Sequence, residues 1–148
     1  MIFVTVGSTD FDALVSKMDE LAYSLDVDIV AQIGLGSYVP LHMDYFRFEP
    51  SLERYYERAD LVVGHGGLGT IVEALSWGKK LVCVVNPAVY DRHQEDLLHV
   101  FEQRSNLVWC KDIENLGQAI QEAQQRDLAP YQPEPCRIHE IIAEYLRE

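Results

Sequence analysis

One stretch decides the fold of this 148-residue chain: residues 59–86 run ADLVVGHGGLGTIVEALSWGKKLVCVVN. Two apolar segments, residues 59–64 and 80–86, have the length of strands, and residues 70–78 between them have helical spacing. Strands that alternate with amphipathic helices are typical of a parallel sheet covered on both faces. Between the first strand and the helix, four glycines and a histidine fall within six positions, residues 64–69. Such a cluster indicates a tight turn or a close approach of the backbone to another group.

The same alternation continues on both sides of this unit. Strands are predicted at residues 2–7, 28–34 and 106–110, with a further short strand at 45–49. Helices are predicted at residues 10–25, with Asp10 as N-cap, and at 91–104 and 113–126, with a short helix after Pro50. The pattern predicts an α/β fold, a Rossmann-like parallel sheet with helices on both faces. Right-handed crossovers place every strand-to-helix loop at one edge of such a sheet, where ligands bind.

The end of the chain has a different composition. Residues 127–135, DLAPYQPEP, carry three prolines and cannot form a helix. Residues 136–148 space their apolar side chains as one helical stripe. We predict a single domain over residues 1–148, with a Pro-rich connector at 127–135 and a C-terminal amphipathic helix at 136–148. That helix either caps the core or docks on a partner.

Charge and cysteine content narrow the classes of function. The net charge of −12 disfavours nucleic acid and direct adhesion to an anionic membrane. No uncharged run approaches the ~20 residues that span a bilayer, and the apolar N-terminus is predicted to be a core strand, not a signal peptide. The three cysteines are widely spaced and form no C-x-x-C pair, which favours a reduced, cytoplasmic setting.

Three strand-exit loops are predicted to share the ligand-binding edge. They are Gly7-Ser8-Thr9, the glycine cluster at residues 64–69, and the segment from Asn86 to Gln94. The glycine cluster leads into a helix N-terminus, where free backbone N–H groups and the helix dipole favour an anion. A phosphate site built from amides needs no lysine, so it is compatible with an acidic chain.

The glycine cluster matches no complete nucleotide-binding signature. It lacks the lysine of a P-loop, and its G-x-G-x-x-G match at Gly64, Gly66 and Gly69 is a weak dinucleotide signal. The dinucleotide fingerprint also occupies the first strand-helix turn, whereas this match follows a middle strand. NAD-dependent redox chemistry is therefore disfavoured.

Several polar residues near these loops allow more than one interpretation. Thr70 and Glu73 have the spacing of a capping box, but Glu73 could instead bind a ribose diol while Thr70 and the glycine amides hold a phosphate. His65 could be a general base, a phosphate donor or a loop histidine without chemistry. His93 and Gln94 are either sugar ligands or ordinary polar residues of a first helical turn.

The sequence predicts no metal requirement. No Cys/His cluster has metal-ligand spacing. Of the two D-x-D triplets, Asp26 and Asp28 enter a strand at the opposite edge of the sheet, where a turn is expected. Asp10 and Asp12 begin a helix, where acidic residues act as caps.

In combination, these motifs resemble a known family. VTVGST and FDALV near the start, Gln32-Ile33-Gly34, ADLVVGHGGLGTIVEAL and KKLVCVVNPAVYDRHQEDLL are similar to the C-terminal, donor-binding domain of MurG-type glycosyltransferases. That domain is one half of the two-domain GT-B fold. The resemblance runs in order over residues 1–105 and is strongest to stand-alone versions of the domain. Ser8 stands where the family usually has threonine, and Gly66 where alanine is common.

The resemblance implies a role for each matching residue. The diphosphate would be surrounded by the two glycine loops, the ribose hydroxyls would bind Glu73, and the uracil would meet backbone near Phe48 and Glu49. The segment from Asn86 to Gln94 would cover the sugar, with His93 and Gln94 contacting its hydroxyls. The implied diphosphate residues are Gly7, Ser8, Thr9, His65, Gly66, Gly67, Gly69 and Thr70.

The resemblance also implies an activity and partners. Stand-alone chains of this kind are catalytic subunits of inverting enzymes that move a sugar, often N-acetylglucosamine, from a UDP-sugar to a lipid-linked acceptor. Two-domain members hold the acceptor in a second domain, so a membrane-anchored acceptor-binding subunit is expected, docked through the helix at 136–148. The chain would then lie in the cytoplasm, peripheral to the membrane. UDP-sugar is the donor substrate, and no cofactor is expected. The alternative function is a non-catalytic nucleotide-sugar-binding module that regulates a partner.

Overall fold

The computed structural model describes residues 1–7, 9–86, 92–103 and 107–126, without the side chains of residues 92–94 and 97. The strands are β1 (Ile2–Thr5), β2 (Ile29–Gln32), β3 (Asp44–Phe46), β4 (Leu61–Gly64), β5 (Lys80–Val84) and β6 (Val108–Cys110). The helices are α1 (Asp12–Ser24), α2 (Glu53–Arg58), α3 (Leu68–Ser76), α4 (Arg92–Gln103) and α5 (Leu116–Gln125). A 3₁₀ turn, Ile113–Asn115, leads into α5.

Within the described ranges, six strands pair in parallel to form one sheet in the order β3-β2-β1-β4-β5-β6. This order confirms the predicted Rossmann-like parallel sheet, and the short strand and short helix expected around Pro50 are present as β3 and α2. The predicted connector at 127–135 and helix at 136–148 lie outside the described residues. None of the helices that the structure describes is long and apolar enough to cross a membrane.

Two apolar layers hold the helices on the sheet. Alternate side chains of β1 point to opposite faces: Ile2 and Val4 join one layer and Phe3 the other. The first layer packs α1 and α5 on the sheet, and the second packs α2, α3 and α4. Cys83 and Cys110 are buried free thiols in these layers, as the sequence predicts, and burial raises the pKa of both.

The predicted N-cap of α1 is wrong. The helix begins later than expected, its N-cap residue is Phe11, and no side chain caps it. The carbonyl of Asp10 instead accepts a hydrogen bond from the Asn86 side chain at 2.9 Å. Asp12 lies in the first turn, as an acidic residue should, but its carboxylate accepts from the N–H groups of Ser37 and Tyr38 at 3.2 and 3.1 Å.

Asp12 and Asp19 on α1 together hold the loop between β2 and β3. The buried carboxylate of Asp19 accepts hydrogen bonds from the Tyr38 hydroxyl at 2.6 Å and from the N–H groups of Leu41 and His42. Burial acts to raise the pKa of Asp19, but these hydrogen bonds outweigh it and the pKa lies below its usual value. The loop is therefore fixed by charge-assisted bonds, while its apolar side chains Leu35, Val39 and Leu41 are exposed.

Candidate functional site

The candidate site lies where the sheet order reverses. β1 and β4 are neighbours, with Thr5 opposite Gly64, while β2 and β3 continue on one side and β5 and β6 on the other. The Gly7 loop and the glycine cluster leave the carboxyl ends of these two central strands. In open α/β sheets, the crevice at such a switch point is where ligands bind.

The ring of His65 fills the space between the two loops. A Cβ atom at Gly7 would lie 2.9 Å from Cε1 of His65, and one at Gly67 would collide with Nε2. Gly7 also has a φ of 66°, which favours glycine, whereas Gly67 has an ordinary extended backbone with φ −69° and ψ 142°. Only the imidazole therefore demands a glycine at position 67. The two loops form one packed unit around a histidine.

The environment of His65 keeps the imidazole neutral. Burial lowers the pKa of His65, and a hydrogen bond with the backbone of Thr5 opposes that shift without cancelling it. A neutral ring sandwiched between two loops fits a structural and ligand-contacting role. Its predicted contact with a diphosphate stays a prediction.

The lowered pKa of His65 makes the stability of the fold depend on pH. Because the folded state resists protonation, stability should fall as the pH drops through the unfolded value near 6.5 and level off below the folded pKa. The slope from one such group is at most about 1.4 kcal/mol per pH unit. Urea unfolding between pH 5 and 8 should show this slope in the wild type and not in His65→Gln. Identical pH profiles would refute the assignment.

The first turn of α3 rules out the capping box. The helix begins at Leu68 after an N-cap at Gly67, so Thr70 is already the third helical residue and its side chain is buried. The N–H groups of Leu68, Gly69 and Thr70 have no carbonyl within the helix to bind, and that of Ile71 bonds to Gly67. Glu73 is therefore not part of a cap, and the orphan N–H groups point towards the switch point.

Gly69 has no steric reason to be glycine. A Cβ atom there would meet nothing within 4 Å, and its φ is not positive. A glycine inside a helix costs about 1 kcal/mol relative to alanine. No side chain therefore covers the outer side of the first turn at Gly69, although the packing of the protein would leave room for one.

Glu73 lies one turn further along α3 and is exposed to solvent. Partial burial of its carboxylate raises the pKa of Glu73, and the negative charge of Glu53 on α2 raises it further. Tyr56, also on α2, senses the same carboxylate, which adds to the effect of burial in raising the pKa of Tyr56. Glu73 is thus a residue of α3 whose charge also acts on α2, which the sequence alone did not indicate.

The remaining predicted site residues lie on the loop after β1, at the end of the segment after β5 and in the first turn of α4. Thr9 donates to the carbonyl of Val6 at 2.9 Å, and the buried amide of Asn86 donates to Asp10, so both side chains brace the loop after β1. His93 and Gln94 lie in the first turn of α4, but their side chains, like all of Ser8, are outside the described residues. The structure brings Gly7, Thr9, His65, Gly66, Gly67, Gly69 and Thr70 to the same edge of the sheet.

One polar cluster near this edge was missed by the sequence analysis. Arg54 donates to both carboxylate oxygens of Glu49 at 2.6 and 2.8 Å, and the Tyr55 hydroxyl donates to Glu49 at 2.6 Å. The ring of Tyr55 stacks on Phe46, with centroids 4.5 Å apart, and on Phe3 at 5.3 Å. The residues are close in sequence, but no motif marks them.

Over the parts of the chain that the structure describes, no three His, Cys, Asp or Glu residues group as metal ligands.

A parallel sheet in this order, with a glycine loop and a free helix N-terminus at its switch point, defines a Rossmann-like domain of the nucleotide-binding class. Residues 1–145 match the family described as the glycosyltransferase family 28 C-terminal domain. This chain therefore belongs to that family, as the resemblance of its motifs implies.

Similar proteins include subunits of a UDP-N-acetylglucosamine transferase. The chain is 34% identical over 125 residues to the human UDP-N-acetylglucosamine transferase subunit ALG13, covering 74% of this chain and 11% of that protein. It is 35% identical over 86 residues to the Kluyveromyces lactis subunit of the same name, covering 56% of this chain and 43% of that protein. The chain thus spans only a small part of the human relative and less than half of the yeast one.

Solved structures share the fold. The NMR structure of ALG13 superposes with a TM-score of 0.72 at 20% identity, covering 99% of this chain and 96% of that one. The crystal structure of Acinetobacter baumannii MurG gives a TM-score of 0.68 at 20% identity, covering 99% of this chain and 45% of that one. The second comparison confirms that this chain has the fold of one half of a larger GT-B protein.

Proposed function

We propose that this chain is the donor-binding catalytic subunit of an inverting glycosyltransferase. Its donor would be a UDP-sugar, first UDP-N-acetylglucosamine and otherwise UDP-glucose or UDP-galactose, and its acceptor a lipid-linked glycan. One observation carries the proposal: the two glycine loops close around His65 beside the bare N-terminus of α3, at the switch point of the sheet. The names of the similar proteins favour N-acetylglucosamine as the sugar.

The geometry suggests how a UDP-sugar would lie. Its diphosphate would accept hydrogen bonds from the N–H groups at Gly67, Gly69 and Thr70, with the dipole of α3 adding a favourable field. The ribose diol would donate to the carboxylate of Glu73, one turn further along the helix. Asn86, His93 and Gln94 would lie at the sugar end, and the uracil would reach Phe48 and Glu49.

The chemical step would be a direct displacement. An acceptor hydroxyl oxygen attacks the anomeric carbon, the bond from that carbon to UDP breaks, and the hydroxyl proton passes to a base. The negative charge that develops on UDP would be stabilised by the backbone N–H groups and the helix dipole, without a metal ion. We assign no base within this chain, and we propose that the partner subunit supplies it.

The proposal requires a second subunit. The chain has the fold of one half of a larger GT-B protein, and the similar human and Kluyveromyces lactis proteins are transferase subunits. We propose a membrane-anchored, acceptor-binding partner that contacts residues 136–148 and keeps this chain at the cytoplasmic surface of the membrane. Robust transfer to a lipid acceptor by this chain alone would contradict the arrangement.

A thermal-shift panel tests donor binding directly. UDP-N-acetylglucosamine, UDP-glucose, UDP-galactose and UDP should raise the unfolding temperature, since a ligand that binds the folded state stabilises it. The sugar with the largest shift identifies the donor, and no shift with any of them would refute the proposal. Adding EDTA should change neither binding nor transfer.

The rate of sugar transfer by the purified complex distinguishes a catalytic role of this chain from a regulatory one. If this chain is catalytic, Glu73→Gln should lower the rate of sugar transfer at donor concentrations that saturate the wild type. If the chain only regulates its partner, the same substitution would leave that rate unchanged. The second result would favour the non-catalytic module.

Gly69→Ala should act in opposite directions on stability and binding. Alanine suits a helix better, so the substitution should stabilise the fold by about 0.5–1 kcal/mol. The added methyl group would occupy the space where a diphosphate approaches the first turn, so UDP should bind about 10-fold more weakly. Chemical unfolding and titration calorimetry measure the two effects.

Gly78→Ala is the matched control for Gly69→Ala. A Cβ atom at Gly78 also meets nothing within 4 Å, but its φ of 69° strains any other residue. This variant should lose about 1 kcal/mol of stability and keep its affinity for UDP. Unchanged UDP affinity in Gly69→Ala would place the diphosphate elsewhere.

A further inference from the structure

The position of Glu73 indicates where the base of a bound nucleotide would lie. If phosphate occupies the N-terminus of α3 and ribose binds Glu73, the base must lie beyond the ribose, on the side away from the glycine loops. Helices α2 and α3 pack in the same apolar layer, and the charge of Glu73 acts on both Glu53 and Tyr56 of α2, so this direction leads to α2 and the segment just before it. The inference rests on the proposed function and adds to it the means by which the base is selected.

The segment before α2 offers suitable groups for a base. Phe48 is 51% exposed, so its ring is available as an apolar surface. Neither the N–H nor the C=O of Phe48 bonds to another of the described residues. Glu49 precedes Pro50, which restricts its backbone to an extended conformation and removes the next N–H donor. Extended backbone can present a donor and an acceptor side by side, which complements the O4 and N3–H edge of uracil.

The side chain of Glu49 cannot itself contact the base, because it is held by Arg54 and Tyr55. Three hydrogen bonds of 2.6–2.8 Å converge on its carboxylate from these two residues. The Arg54 guanidinium also donates to the Tyr55 hydroxyl at 2.6 Å and lies over the Tyr55 ring, 4.8 Å from the centroid. Partial burial, followed by the bond to Glu49, raises the pKa of Tyr55, so the hydroxyl keeps its proton.

The same cluster is anchored in the core of the sheet. The Tyr55 ring stacks on Phe46 of β3 and on the fully buried Phe3 of β1. A displacement of Glu49 would therefore break bonds to a side chain that the core holds in place. The cluster ties the segment at 48–49 to strands β1 and β3.

We propose that Glu49, Arg54 and Tyr55 are positioning residues that fix the backbone of Phe48 and Glu49 for binding the base, and so set a preference for uracil over cytosine. Cytosine presents a donor at N4 and an acceptor at N3, the reverse of uracil along the same edge. A rigid backbone can bind only one order of donor and acceptor on the base, whereas a mobile backbone can adapt to both orders.

Titration calorimetry with UDP and CDP tests the proposal. The wild type should bind UDP at least 10-fold more tightly than CDP. Glu49→Arg, which sets two cations against each other, should weaken UDP binding about 10-fold and reduce the preference over CDP by a similar factor. The exchanged pair Glu49→Arg with Arg54→Glu should recover most of both. Glu57→Arg places the same charge change on α2, outside the cluster, and should alter neither.

Tyr55→Phe provides a milder variant in case Glu49→Arg does not fold. It keeps the stacked ring and removes one hydrogen bond, so the UDP-to-CDP preference should fall about 3-fold. An unchanged preference in Tyr55→Phe and in any folded Glu49→Arg would overturn the positioning role. Glu73→Gln should weaken UDP and CDP equally, which separates the ribose contact from the base contact. A wild type that binds no UDP would overturn the proposed function itself.

Discussion

Replacing Glu73 by alanine is expected to weaken UDP-sugar binding about 100-fold while making the fold slightly more stable. Hydrogen bonds to a charged group contribute about 1.5–3 kcal/mol each, and a ribose diol would donate one or two of them to this carboxylate. Without ligand, the same carboxylate is partly desolvated and is also repelled by Glu53, and both effects raise its pKa above the usual value. Titration calorimetry and urea unfolding give the two quantities on the same preparation.

A matched substitution isolates the effect of position. Glu57→Ala removes an exposed carboxylate from the neighbouring helix α2 and changes the net charge by the same amount. It should leave the affinity for UDP-sugar unchanged. If Glu73→Ala binds the donor as tightly as Glu57→Ala does, Glu73 is not the ribose ligand, and the orientation proposed for the nucleotide is wrong.

Gly67→Ala is expected to destabilise the fold by about 1–3 kcal/mol, the usual cost of overpacking. The backbone conformation at Gly67 suits alanine, and the loss of a glycine N-cap costs little, so most of the effect would come from the collision with the His65 ring. The loop would have to move away from the Gly7 loop, so UDP should also bind more weakly. Urea unfolding and calorimetry measure these changes.

A double-mutant cycle identifies the cause of that loss. His65→Ala should itself be destabilising, because it removes a half-buried ring that packs against both glycine loops. If the collision is responsible, adding Gly67→Ala to His65→Ala should cost little more, giving a coupling energy of about 1 kcal/mol or larger. Strictly additive effects would show that Gly67 is required for another reason.

The sequence predicted the sheet and the edge of the site because both depend on local patterns. Apolar runs bounded by glycine marked the strands, and the direction of parallel strands placed the Gly7 loop and the glycine cluster together. The start of α3 was predicted at residue 70 and lies at Leu68. Glycine disfavours helices, yet Gly69 lies inside the first turn.

The contacts that shape the site could not be predicted, because they join distant residues. The side-chain amide of Asn86 donates a hydrogen bond to the carbonyl of Asp10, 76 positions away, and so holds the loop after β1 in place. The charge of Glu53 acts on Glu73 only because α2 and α3 pack on the same side of the sheet. The contact of His65 with both glycine loops likewise depends on the pairing of β1 with β4.

The loop held by Asp12 and Asp19 has a consequence for how the protein behaves in solution. Because carboxylates of α1 fix its backbone, this loop cannot turn its exposed leucines inward, and they face solvent with Leu41 81% exposed. We expect repulsion from the net charge of −12 to oppose contact between these leucines on two molecules. Because such repulsion extends only about 10 Å at 0.1 M salt, the tendency of the protein to associate should depend on ionic strength more than its fold does.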